Sequence, residues 1–110
     1  MVAGPPLRGY PIPWRSNEIM FGLTIQGPHT FYPAHAHESV ELYFVIGGSV
    51  DWQQGDGAWQ SRSSGTFIYH GASESHAMRT HDEPVLNFFA WISDLGARPR
   101  LVDPPPQAYP

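Results

Sequence analysis

The chain contains no cysteine among its 110 residues. That absence removes disulfide scaffolds, thiolate nucleophiles and cysteine-based zinc sites together, so any metal must be held by histidine and carboxylate. Lysine is also absent, and the six basic residues, all arginine, face ten Asp and Glu for a formal charge of -4. A mildly acidic surface without a basic stripe excludes nucleic acid as the expected partner. No apolar run approaches the ~18 residues of a membrane span, so no membrane association is expected. The opening residues Met1 to Pro11 have neither the charged segment nor the apolar core of a signal peptide, and the expected location is the cytoplasm. The length suits one domain and not two.

Proline and glycine, by contrast, are abundant, with twelve Pro and eleven Gly spread along the chain. Frequent turns between short apolar runs predict many short strands and an all-β sandwich or barrel. Residues 1–16 carry Pro5, Pro6, Pro11 and Pro13 and read as an extended arm; residues 98–110 carry Pro104, Pro105, Pro106 and Pro110 and read as a tail. The domain is expected over 17–97, with seven or eight strands and no long helix. The longest run, Ser39 to Ile46, stops at the tight-turn pair Gly47-Gly48.

Four of the six histidines are not scattered. In the segment Tyr32-Pro-Ala-His35-Ala-His37-Glu-Ser-Val-Glu41-Leu-Tyr43, the residues His35, His37, Glu41 and Tyr43 share one parity. An unbroken extended backbone would project all four to one face. Two imidazoles and a carboxylate converging there offer nitrogen and oxygen ligands for a metal, with positions left for substrate or water. A further histidine, His76, heads a fresh strand after the polar turn that follows Gly71; His70 competes with it for the place opposite the first group. The other parity, Val40, Leu42, Phe44 and Ile46, is wholly apolar. In a closed barrel that row points outward, and an apolar row there predicts a homodimer packed across it, in preference to cover by the arm with its Leu7, Tyr10, Ile12 and Trp14.

The spacing His35-x-His37-x3-Glu41-x6-Gly48 resembles the first motif of the cupins, and Gly65-x5-Gly71-x4-His76 their second. The resemblance implies a small double-sheet jelly-roll β-barrel holding one divalent transition metal ion, Fe, Mn, Ni, Zn or Co, on His35, His37, Glu41 and His76. Gly71 stands where the second motif has proline, Ser73 where it has glycine and Thr80 where it has asparagine; these are turn positions, not ligands. A narrower set is similar to the cupin dimethylsulfoniopropionate lyases: Tyr32 to Tyr43, then Trp52 and Trp59, His76 to Thr80, Glu83 to Leu86, and Trp91. That likeness implies an enzyme, a carbon–sulfur lyase that cleaves a small-molecule substrate to dimethyl sulfide and acrylate. It implies Tyr43 as the base and Tyr32 as a second active-site tyrosine. A sulfonium substrate suits an aromatic cage through cation–π attraction, for which Phe89, Trp91 and Tyr32 are the candidates, with Trp52 a further one.

The same four ligands would also serve a different metal-dependent cupin enzyme, a dioxygenase or an isomerase, or a cupin that binds a small ligand without catalysis. Trp52 and Trp59 read as packing or covering residues, Met78 as barrel lining, Arg79 as outward-facing, and His29, His70 and His81 as surface or loop residues.

Overall fold

The alternation of Glu41-Leu-Tyr-Phe-Val-Ile-Gly47 explains the centre of the molecule. In a computed structural model, which describes residues 16–103, this segment is a strand with Glu41, Tyr43 and Val45 buried and Leu42, Phe44 and Ile46 on the other face. β-Branched and aromatic side chains fit such a half-buried pleated surface on both sides. Nine strands occur among the described residues. They are β1 (Met20–Gln26), β2 (Phe31–Ala36), β3 (Glu41–Gly47), β4 (Ser49–Gln54), β5 (Gln60–Ser63), β6 (Phe67–His70), β7 (His76–Thr80), β8 (Val85–Trp91) and β9 (Arg100–Leu101). No helix long and apolar enough to cross a membrane is found among the described residues.

The strands form two antiparallel sheets, one in the order β1-β8-β3-β6 and the other β5-β4-β7-β2-β9. Their inner faces meet in a core of Tyr43, Val45, Val50, Trp52, Ile68, Met78, Val85, Phe89 and Trp91. Burying each of the larger members contributes about 1.5–3 kcal/mol relative to leaving it in water. The all-β jelly-roll reading is therefore what the chain adopts.

Three expectations are corrected. The run from His35 to Tyr43 is not one strand: β2 ends at Ala36 and β3 begins at Glu41, and the two lie in different sheets. Parity is a property of each strand separately, and a corner lies between them. The barrel also does not stop at residue 97, because Arg100 and Leu101 pair with Ala36 and His35 at the edge of the second sheet. His70 is not a surface residue but is fully buried. Residues 1–15 of the expected arm (1–16) and 104–110 of the expected tail (98–110) lie outside the described residues.

The β3–β4 turn shows why glycine is required at one position. Gly48 has a φ of 86°, and a Cβ there would collide with the backbone carbonyl of Pro84. Gly48→Ala is expected to destabilise the fold by about 2 kcal/mol or more, since both the backbone conformation and the close approach oppose a side chain. A urea unfolding midpoint unchanged from that of the unmodified chain would contradict this account.

Candidate metal centre

Register places the site before any side chain is considered. On the first sheet, Glu41 of β3 sits directly between His70 of β6 and Trp91 of β8. The next inward row is Ile68, Tyr43 and Phe89. On the second sheet His35 of β2 pairs with His76 of β7, and Tyr32 pairs with Met78. Pro33 and Ala34 on β2 thus oppose the single residue Ala77 on β7, a bulge. Proline is tolerated there because the ladder is already interrupted. The bulge reverses the parity of the strand and brings both Tyr32 and His35 to the inner side, where their rings stack at 3.8 Å.

Each of three histidines is fixed by a local backbone carbonyl. His35 Nδ1 donates to Pro33 O at 2.8 Å, His37 Nδ1 to Ser39 O at 3.1 Å and His76 Nδ1 to Glu74 O at 3.1 Å. In their neutral forms all three therefore present a bare Nε2. The Nε2 atoms of His37 and His76 lie 3.2 Å and 3.4 Å from the same atom, Glu41 Oε1. Glu41 receives further bonds, from His70 Nδ1 to Oε1 at 3.1 Å and from Trp91 Nε1 to Oε2 at 2.8 Å.

The electrostatics agree. Burial alone would raise the Glu41 carboxyl, but the neighbouring imidazoles of His37, His70 and His76 and the hydrogen bond from the Trp91 indole outweigh it and hold it at about 2. Burial pushes His35 down to about 4, and burial together with His70 and His35 pushes His76 well below the ordinary range. His76 Nε2 is buried with no hydrogen-bond partner. A lone pair on a buried nitrogen, a second such nitrogen and a carboxylate oxygen all facing one another require a positive charge among them. His37, Glu41 and His76 form a group whose donor atoms lie within 4.8 Å of one another and which can hold a metal ion. Nitrogen and oxygen donors of this kind suit a divalent transition metal. His35 stands just outside that group, its ring 4.2 Å from that of His76.

His37 and Glu41 of this group border a cavity of about 520 Å³. Tyr32, Tyr43, Phe89 and Trp91 line it together with His35, His37 and Glu41, so the residues singled out from the sequence share one space; His76 joins them through the metal cluster. Met20 and the segment Leu95 to Pro99 complete the lining, and sequence reasoning did not assign them. Burial, then the charge of Glu41, raise the phenol of Tyr43 well above its usual range and raise that of Tyr32 as well. Trp52 lies in the core and is not a lining residue; its indole packs edge-on against Tyr43 at 4.9 Å. His29 and His81 are exposed, as expected, and Arg79 turns outward, over the ring of Phe31.

Two facing antiparallel sheets with an inward histidine–glutamate cluster define a cupin. Within that class, the chain belongs to the dimethylsulfoniopropionate lyase family, whose model matches residues 1–87. It is 26% identical over 92 residues to the dimethylsulfoniopropionate lyase DddQ of Ruegeria pomeroyi, a match covering 84% of this chain and 46% of that protein. The crystal structure of DddQ from that organism superposes with a TM-score of 0.77 at 26% identity, over 81% of this chain and 45% of that one. A cupin 2 conserved barrel protein from Salinispora arenicola shares the fold, with a TM-score of 0.65 at 20% identity, over 77% of this chain and 71% of that one. The chain spans about half the length of DddQ.

His37→Ala tests the cluster. The variant should lose bound divalent metal by ~10-fold or more after dialysis against a weak chelator, since even outer contacts of a metal site are worth 10–100-fold. Undiminished metal on elemental analysis would remove His37 from the ligand set.

Proposed function

We propose that the chain is a metal-dependent lyase that cleaves dimethylsulfoniopropionate to dimethyl sulfide and acrylate. The observation that carries the reading is that a cluster suited to a divalent ion, a buried phenol and an aromatic wall share one cavity in a member of this family. His35, with Nδ1 held by Pro33 and Nε2 bare, is the fourth ligand beside His37, Glu41 and His76. A divalent ion, bound there, supplies Lewis acidity toward the substrate carboxylate and positive charge that favours the Tyr43 phenolate. Tyr43 Oη then takes the proton from the carbon next to the carboxylate. The electron pair of that C–H bond becomes the carbon–carbon double bond of acrylate. The carbon–sulfur bond breaks, and its pair leaves on sulfur as neutral dimethyl sulfide. Phe89 and Trp91 present ring faces to the sulfonium, and Tyr32, stacked on His35, contributes a third. The cavity size is in the range of small-ligand sites.

Metal-loaded protein incubated with dimethylsulfoniopropionate should release dimethyl sulfide, measured by gas chromatography. Tyr43→Phe should lower turnover by ~10²–10⁴ with metal retained, the range for loss of a general base. No dimethyl sulfide from the unmodified chain would overturn the activity; near-normal turnover in the variant would overturn the role of Tyr43.

A separate observation supports self-association. The outer face of the first sheet carries Phe21, Leu23 and Ile25 from β1, Leu86 and Phe88 from β8, Leu42, Phe44 and Ile46 from β3, and Phe67 and Tyr69 from β6. No charged side chain is among them, and Ile25, Phe67 and Tyr69 are 58%, 65% and 57% exposed. We infer that a second copy of the chain packs on this face. An uncharged surface offers no complementarity to a charged partner and does not repel its own copy under a two-fold rotation. Phe44→Glu should convert a dimer to a monomer with metal retained. A monomeric mass for the unmodified chain at micromolar concentration, by light scattering, would overturn the dimer.

A further inference from the structure

His70 has no part in the chemistry above, yet it is fully buried beside the metal cluster. Its ring stacks on that of His76 with centroids 3.8 Å apart and planes within 8°. Both of its nitrogens are engaged. Nε2 lies 3.0 Å from Trp52 Nε1, and Nδ1 lies 3.1 Å from Glu41 Oε1. An indole N–H can only donate. His70 Nε2 must therefore accept, which leaves the proton of the neutral ring on Nδ1. From there it is donated to Glu41.

This sorts the buried histidines into two kinds. His35, His37 and His76 give their Nδ1 protons to backbone carbonyls and keep Nε2 bare. His70 has no free nitrogen and is excluded as a ligand by Trp52. We propose that Trp52 and His70 are positioning residues: Trp52 selects the tautomer of His70, and His70 orients the Glu41 carboxylate and braces the His76 ring for the metal. With Trp91 holding Oε2 at 2.8 Å, the His70 bond fixes the carboxylate through both oxygens. The other tautomer would set a bare Nδ1 against Glu41 Oε1, two lone pairs in a buried site, and would turn the carboxylate away. The relay crosses the barrel, since Trp52 stands on β4 of the second sheet while His70 and Glu41 belong to the first.

The inference rests on the reading that His37, Glu41 and His76 hold a divalent ion, and its test has an arm that needs no metal. Long-range ¹H–¹⁵N correlation spectra of the metal-free unmodified chain should show His70 protonated at Nδ1 and bare at Nε2. In Trp52→Phe, the Nε2–H form of His70 should appear. Zinc affinity, measured by competition with a chromophoric chelator, should fall 10–100-fold in His70→Leu, the range for lost outer contacts of a metal site. His70→Asn keeps an N–H near the place of Nδ1 and should recover most of that loss, although both variants lose the bond from Trp52 and comparable packing. A merely structural role would weaken both variants alike. An Nε2–H signal from His70 in the unmodified chain overturns the proposal whether or not zinc binds. Where His70→Leu does not fold, the tautomer spectra of the unmodified chain and Trp52→Phe decide. Unchanged affinity in His70→Leu, or equal loss in His70→Asn, also overturns it. Failure of the unmodified chain to take zinc overturns the metal reading and the effect on affinity with it, an outcome distinct from the tautomer result.

Discussion

A carboxylate taken out of water must be paired, and the interior of this barrel is arranged around one. Glu41 is buried at the centre of the first sheet and remains ionised because nitrogen groups surround it: His70 and Trp91 by hydrogen bonds, and His37 and His76 by proximity. Removing any one would leave part of a buried charge uncompensated, and breaking such a pair typically costs about 3–5 kcal/mol. The neighbours of Glu41 on β6 and β8 therefore have to be N–H donors, which His70 and Trp91 are. The group facing it from the second sheet has to be a histidine able to share a cation, which His76 is.

Pairing of this quality depends on register. A one-residue slip of β3 would turn Glu41 and Tyr43 to the outside and Leu42 and Phe44 inward. Because both rows of β3 apart from Glu41 are apolar, hydrophobic burial by itself discriminates weakly between the two registers. Local devices supply the difference. Gly48, in its left-handed conformation against Pro84, sets the turn after β3. On the opposite sheet the bulge at Pro33-Ala34 does the corresponding work, bringing Tyr32 and His35 to one side of a strand that would otherwise separate them.

Much of this was legible from the residues. Alternation identified β3, the Gly47-Gly48 pair its end, and the position of His76 the start of β7. The cupin resemblance implied His35, His37, Glu41 and His76 together, and three of these, His37, Glu41 and His76, form the cluster. The corner at residues 37–40 was not legible, because even spacing across it mimics one continuous strand. His70, weighed against His76 and then read as a surface or loop residue, was misplaced for a related reason. In Phe67-Ile-Tyr-His70 both parities carry large side chains, so nothing in the run says whether Phe67 and Tyr69 or Ile68 and His70 face inward. Only pairing with Glu41, 29 residues away, decides it. The lining by Leu95 to Pro99 was equally hidden, since a segment without periodicity gives no sign of what it covers.

The site then poses one electrostatic requirement several times over. Glu41 is negative, the Nε2 atoms of His37 and His76 face its Oε1 with their lone pairs, and the phenol of Tyr43 is held protonated by burial and by that same carboxylate. Each group separately favours positive charge at the border of the cavity, and the buried nitrogen of His76 has no protein hydrogen available to meet the need. The wall has the opposite character: Phe89 and Trp91 are uncharged, and the indole N–H of Trp91 is committed to Glu41, leaving its ring to the cavity. A molecule with a carboxylate at one end and a diffuse cation at the other is matched at both ends by this polarity. In the proposed reaction the leaving sulfur, neutral once its carbon bond breaks, would lose its electrostatic attraction to the rings in the step that forms it.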